Sequence, residues 1–170
     1  MPEKIKKNIL RAYTLIEVVA VMAIISIVSS VILVNVRSSR IPRELESNAR
    51  LVVSVFREAQ NYALTGHQGV VGTDPCGYEV WWNGVAYGTT YHYKSGGVCN
   101  PTPTFSLAAY TLQSGVSFSG AGSSVTFAPP HAVMNPTTDV TVTLTKAGSS
   151  HVVCVRASGL INNNAGAACL

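Results

Sequence analysis

The sequence predicts an α+β fold, in which one long N-terminal helix packs on an antiparallel β-sheet or small β-sandwich. Three observations support this prediction. An uncharged run of 19 residues extends from Val18 to Val36. Over residues 43–65, apolar side chains then recur at three- and four-residue steps, which is typical of an amphipathic helix. From Gly66 onward the composition changes to Thr, Ser, Gly and Val with frequent turn residues, which favours short strands.

Charge and composition divide the chain into four segments. Residues 1–12 form a basic leader with four cations and one carboxylate, a net charge of +3. Residues 13–36 form the apolar helix, residues 37–65 its amphipathic continuation, and residues 66–170 a β-rich head. The uncharged run is about long enough to cross a bilayer, and the cations before it predict a cytoplasmic N-terminus. We therefore expect a single-pass helix in the inner or plasma membrane and an extracytoplasmic head.

The amphipathic continuation carries one apolar stripe, which should be buried against the head. The stripe consists of Leu45, Ala49, Val52, Val53, Phe56, Ala59 and Ala63. Glu46 and Arg50 have the i,i+4 spacing of a favourable ion pair. Pro42 predicts a kink or short break where this part begins, and Gly66 predicts the C-cap of the helix.

Seven strands are expected in the head. They are Gly77–Trp82, Thr89–Lys94, Phe105–Leu112, Val116–Ser119, Ser124–Ala128, Val140–Lys146 and His151–Arg156. The sixth alternates apolar and hydroxyl residues as a half-buried strand does, and the turn at Ala147-Gly148-Ser149 predicts a hairpin with the seventh. By the same argument, Gly120-Ala121-Gly122 should join the fourth and fifth strands as a second hairpin.

All four cysteines follow the apolar run, so they should lie outside the membrane, where disulfides persist. Four cysteines allow three pairings. We favour Cys76–Cys99 and Cys154–Cys169, since each closes a short loop between candidate strands. No pair has CxxC spacing, which argues against a redox motif or a zinc knuckle. A Cys/His metal site that uses His92 or His151 stays open as an alternative.

The head carries no basic cluster in its sequence. Its cations are Lys94, Lys146 and Arg156, its anions are Asp74, Glu79 and Asp139, and their charges sum to zero. Nucleic-acid binding needs clustered cations to neutralise phosphates, so we do not expect a nucleic-acid partner. The basicity of the whole chain is instead mainly a signal of membrane topology.

Enzymatic chemistry is not expected either. A serine-rich stretch over residues 115–120 departs from G-x-S-x-G because Ser119 replaces the second glycine, and no HExxH motif or phosphate loop occurs. We therefore predict no catalytic residue, no metal and no cofactor. Trp81 and Trp82 should face opposite sides of one strand, in an aromatic-rich stretch that either fills the core or contacts another subunit.

The end of the leader and the residues before the apolar run are, in order, Ala12, Tyr13, Thr14, Leu15, Ile16 and Glu17. Their order resembles the N-terminal signal of type IV pilins and type II secretion pseudopilins. In that family glycine is usual where Ala12 stands, and phenylalanine is usual where Tyr13 stands. The resemblance implies that a prepilin peptidase cuts between Ala12 and Tyr13, and that the new amine of Tyr13 is N-methylated. It also implies that Glu17 serves assembly by neutralising that amine on a neighbouring subunit.

The same resemblance implies the partners and the location of the protein. The partners would be prepilin peptidase, other pilin or pseudopilin subunits, an inner-membrane assembly platform and the lipid bilayer. The order of elements that ends in Ser158-Gly159-Leu160-Ile161 is similar to the GspH/FimT group, which indicates a minor subunit of a type IV pilus or type II secretion pseudopilus. Some FimT-type pilins bind DNA through arginines near that glycine, but here Leu160, Ile161 and three asparagines follow it.

Two other functions stay open on the sequence. One is a pilin-like tip subunit whose head binds DNA or a surface ligand. The other is an uncleaved single-pass membrane protein with a sensory or enzymatic head.

Overall fold

The computed structural model describes residues 14–164 and Cys169, with the backbone alone for residues 31–39, 100–103 and 164. One helix, α1 (Leu15–Thr65), precedes nine strands. The strands are β1 (Pro75–Asn83), β2 (Ala86–Ser95), β3 (Val98–Thr111), β4 (Ser117–Phe118), β5 (Ser123–Ala128), β6 (Val133–Asn135), β7 (Val140–Lys146), β8 (Ser149–Val155) and β9 (Ile161–Asn164). The chain forms two compact units, one that ends at Ser39 and one that begins at Arg40.

The first unit contains the N-terminal half of α1. Every side chain from Thr14 to Ser30 is exposed. The Ser26 hydroxyl donates to the Met22 carbonyl at 2.8 Å, and the Ser30 hydroxyl donates to that of Ile27 at 2.7 Å, so these polar groups are satisfied within the helix. Among the residues described, no helical stretch reaches the length and hydropathy of a membrane span. The span expected over residues 13–36 stays a prediction.

Of the kink or short break predicted at Pro42, the break is absent, since α1 runs through this residue. Proline removes one backbone donor, which ordinarily weakens a helix at that point. Arg40 and Glu44 nevertheless form an i,i+4 ion pair across Pro42, with Nε and Oε1 2.9 Å apart. Glu46 and Arg50 form the expected pair at 2.6 Å one turn later.

The end of α1 lies where the sequence predicts it. Gly66 follows the helix with φ of 64°, in the left-handed region that glycine adopts without strain. The His67 amide donates to the Tyr62 carbonyl at 3.1 Å, which satisfies one of the last helical acceptors.

The head contains two antiparallel sheets. One has five strands in the order β3-β2-β1-β5-β6, and the other has four in the order β4-β7-β8-β9. β7 and β8 form the predicted hairpin, with Lys146 opposite Ser149. Ala147 and Gly148 between them both have positive φ, as a two-residue hairpin turn requires.

The predicted hairpin between the fourth and fifth expected strands is wrong. β4 pairs with β7, and β5 pairs with β1 in the other sheet. Residues 119–122 therefore connect the two sheets. The glycines at 120 and 122 do mark a change of direction, but a local turn signal does not specify which neighbours the flanking strands will pair with. Two strands, β6 and β9, were not expected from the sequence at all.

One hydrophobic core unites the second half of α1 with both sheets. All seven residues of the predicted stripe are buried. Phe56 and Ala59 are fully covered, and the Phe56 ring lies 5.8 Å from that of Trp82 on β1. β7 and β8 contribute further buried residues, including Val142 and Val153. The fold is thus α+β, with a helix stripe covered by antiparallel strands.

Two disulfides close loops in the head, with sequence separations of 23 and 15 residues, and they pair the cysteines as the sequence favours. Cys76–Cys99 links β1 to β3, and Cys154–Cys169 links β8 to the C-terminal end. All four cysteines are oxidised, so none of them is available as a metal ligand. This contradicts the alternative of a metal site that has cysteines among its ligands.

Candidate processing and assembly site

The candidate site lies where α1 begins. The Thr14 carbonyl accepts hydrogen bonds from the amides of Glu17 at 3.1 Å and Val18 at 3.3 Å, which closes the first turn. Ala12 and Tyr13, the expected cleavage residues, lie outside the described part of the chain. The structure therefore positions one of the three predicted site residues, Glu17.

Glu17 is exposed in the first turn of α1. The unpaired amides of a helix N-terminus carry partial positive charge, so a carboxylate there is stabilised. The spacing of Thr14 and Glu17 is also that of a capping box, in which a hydroxyl residue is followed three positions later by Glu. This spacing is visible in the sequence, and the interpretation of Glu17 as an assembly residue alone overlooked it.

The side chains around Glu17 are apolar and exposed to solvent. Leu15 is 84% and Ile16 is 76% exposed, and the apolar side chains of the next three turns are exposed as well. Large apolar surface in water is unfavourable by about 25 cal/mol per Å². Burial of this segment in an apolar environment would therefore be favourable.

The head places the other sequence-predicted groups in ordinary structural roles. His92 Nε2 lies 2.9 Å from Glu79 Oε2, across β1 and β2. His151 is buried on β8 and hydrogen-bonds to the Asn163 side chain. Trp82 is in the core, whereas Trp81 is half-buried on the opposite side of β1, where its ring lies over Gly88. A Cβ at position 88 would lie 2.9 Å from that ring, so glycine is required there.

A family model described as the prokaryotic N-terminal methylation motif matches residues 11–33 of this chain. The chain carries the signal of type IV pilins and pseudopilins, and this signal supports its being a substrate of prepilin peptidase. No curated protein and no solved structure matches the chain.

Proposed function

We propose that this protein is a structural subunit, a minor pilin or pseudopilin, of a type IV pilus or type II secretion pseudopilus. Prepilin peptidase cuts it between Ala12 and Tyr13, the new amine of Tyr13 is methylated, and the subunit then leaves the membrane for the fibre. The observation that carries this proposal is the methylation motif at residues 11–33, which covers the start of an exposed apolar helix.

Glu17 has a specific role in this proposal. Cleavage creates a cation at Tyr13, and assembly moves both charges into an apolar helix bundle. A buried charge without a partner is strongly unfavourable, whereas Glu17 of one subunit and the Tyr13 amine of its neighbour neutralise each other. The pair therefore selects the axial register of the helices as well as stabilising their contact.

The minor class is proposed because the order of elements at the C-terminal part of the head is similar to that of the GspH/FimT group. The β7–β8 hairpin is followed by a turn, in which the Gly159 amide donates to the Arg156 carbonyl at 2.8 Å. Gly159 has φ of 83°, and its carbonyl accepts from Gln60 of α1 at 3.0 Å. A Cβ there would lie 2.7 Å from Gln60 Nε2, but this is the end of a flexible side chain that can move aside, so it is the backbone conformation that favours glycine at this position. The head is proposed to be structural and not catalytic.

The decisive measurement is the N-terminal residue and intact mass of the protein recovered from membranes or sheared fibres. We expect a chain that begins at N-methylated Tyr13. A chain that still begins at Met1, in cells with active prepilin peptidase, would overturn the proposal and leave a signal-anchored membrane protein.

The role of Glu17 is tested separately by Glu17→Ala, with Glu46→Ala as the matched control. Glu46 lies on the same helix outside the motif, in an exposed ion pair. We expect Glu17→Ala to be cleaved normally but to be lost from sheared fibres by at least tenfold, and Glu46→Ala to enter them like the parent. Normal incorporation of Glu17→Ala would refute the register role while leaving processing intact.

A further inference from the structure

A groove of about 600 Å³ lies in the head, between α1 and one side of the five-stranded sheet. Leu51 and Glu58 belong to its helix wall, and Tyr87 and Tyr110 belong to its strand wall. Leu51 is 49% and Tyr110 is 41% exposed, although the surrounding core is closely covered. The groove therefore presents apolar side chains that nothing else in the described head contacts fully.

The strand wall of this groove is also a sheet edge. β3 is terminal in the order β3-β2-β1-β5-β6, so within the described sheet it is hydrogen-bonded to β2 alone. An edge strand presents a row of outward amides and carbonyls that can pair with another chain. The other edge strands, β4, β6 and β9, have two, three and four residues, whereas β3 has 14.

Only the second half of β3 is suited to such pairing. Pro101 and Pro103 remove donors from its first half, and prolines of this kind protect edges. The register with β2 shifts between Ser106 and Ala108, which leaves Leu107 as an extra residue. After this bulge, residues 108–111 are paired regularly with β2, and three of them line the groove.

We propose that the groove between α1 and β3 binds an extended segment of another protein chain, which adds to β3 as a sixth strand. The edge would supply backbone hydrogen bonds, and alternate side chains of the added strand would enter the groove beside Leu51 and Tyr110. A small molecule could fill the groove but could not use the edge, so the combination of the two features specifies an extended peptide. This interaction does not depend on the processing of the N-terminus.

Charge further defines the partner segment. No Asp, Glu, Lys or Arg occurs between Lys94 and Asp139, so β3 contributes no charge of its own. The charged residue of the groove is Glu58, whose Oε1 accepts a hydrogen bond from the Tyr62 hydroxyl at 2.5 Å. The partner should therefore be an uncharged strand with apolar residues at alternate positions and one cation facing Glu58.

The position of this cation follows from the direction of the chains. The Gln113 amide donates to Asn48 at 2.8 Å, so the C-terminal end of β3 lies beside the part of α1 that precedes Leu51. β1 runs against α1, because Phe56 lies beside Trp82 whereas Tyr62, later in the helix, lies beside Tyr78, earlier in the strand. β3 has the same direction as β1, since both pair antiparallel with β2, and every strand pairing in the described sheets is antiparallel. A strand added antiparallel to β3 would run with α1 and reach Glu58 near its own C-terminal end.

The test uses the full-length protein in mild detergent and a set of fluorescein-labelled octapeptides, with binding followed by fluorescence anisotropy. In each peptide, Thr alternates with one apolar or aromatic residue, which is Val, Ile, Leu, Phe or Tyr, and the last residue is Lys. We expect at least one member to bind with a Kd below about 100 μM, within the range of weak but specific recognition. Its analogue that ends in Glu should bind several-fold more weakly. Methylation of the backbone nitrogens that face β3 should weaken binding at least tenfold, because it removes the donors.

Two matched variants locate the site. Leu51→Glu should weaken binding at least tenfold, whereas Leu64→Glu, an equally exposed leucine of α1 outside the groove, should not change it. Glu58→Lys should prefer the peptide that ends in Glu. Tryptophan fluorescence checks that each variant is folded, since both tryptophans lie on β1. The proposal would be overturned if no peptide of the set bound with a Kd below about 100 μM. It would equally be overturned if methylation of the nitrogens that face β3 weakened binding no more than methylation of those that face away, or if Leu64→Glu had the same effect as Leu51→Glu.

Discussion

The two halves of α1 are both rich in aliphatic residues, yet their side chains have opposite environments. From Thr14 to Ser30 every side chain is exposed, whereas the stripe from Leu45 to Ala63 is buried in the head. The difference follows from where polar residues occur. In the second half, charges occupy the remaining faces and leave one stripe for a single neighbour to cover. In the first half there is no polar face, so burial requires apolar surroundings on all sides.

The comparison implies that stability of the head depends on one half of α1 and not on the other. Phe56→Ala should have the largest effect, because Phe56 is fully buried and its ring lies 5.8 Å from that of Trp82. Such truncations cost about 3 to 5 kcal/mol. Val28→Ala, in the exposed half, should leave the free energy of unfolding of the head unchanged. The measurement is denaturant unfolding of the full-length protein in mild detergent, followed by tryptophan fluorescence, which reports on β1.

The comparison would be broken if Val28→Ala destabilised the head by an amount similar to that of Phe56→Ala. That result would mean that the exposed half contributes to the fold of the head. An unchanged midpoint for Phe56→Ala would contradict the burial of the stripe itself.

A smaller effect is expected from the polar group inside the buried half. Asn48 is 4% exposed, its Oδ1 accepts from the Gln113 amide at 2.8 Å, and its Nδ2 donates to the Glu44 carbonyl at 2.8 Å. Asn48→Ala would leave the Gln113 amide without this acceptor, at a cost of about 1 to 2 kcal/mol. Asn61→Ala, at an exposed position on the same helix, is the control for helix propensity and should be neutral or slightly stabilising, because alanine is the better helix former. Equal effects of the two variants would show that the contact with Gln113 does not contribute to stability.

The sequence predicted what short-range patterns encode. The stripe of α1, the C-cap at Gly66 and the β7–β8 hairpin depend on periodicity or on a turn residue, and each lies where it was expected. Which strands pair with each other does not depend on such local patterns. β4 and β5 are separated by four residues yet belong to different sheets, because their partners lie elsewhere in the chain.

The candidate site and the groove show the same difference between short-range patterns and long-range contacts. An ordered motif over a few residues identified Glu17 and the processing signal, since residue types at fixed positions carry that information. The groove beside β3 could not be found from sequence, because Leu51 and Tyr110 are far apart in the chain and the strand order alone makes β3 an edge. The break expected at Pro42 was also wrong, since α1 continues through this residue although its backbone lacks one donor.

The smallest predicted effect concerns the ion pair at the start of the buried half, and it depends on pH. Lys146 of β7 hydrogen-bonds to the Glu44 carboxylate, and this contact lowers the pKa of Glu44 below its usual value of 4.5. A carboxyl with a lowered pKa contributes stability above its unfolded pKa, and this contribution is lost as the pH falls through the folded value. Lys146→Met should therefore lower the melting temperature by a few degrees at most near pH 7, with the difference from the parent shrinking below about pH 4.5.

Lys94→Met is the control, because its pair with Asp74 is more exposed, at 3.6 Å, and should contribute nothing measurable. A difference for Lys146→Met that is constant from pH 7 to pH 3 would assign the effect to contacts of the lysine that do not titrate, namely the packing of its stem and its hydrogen bond to the Ser114 carbonyl.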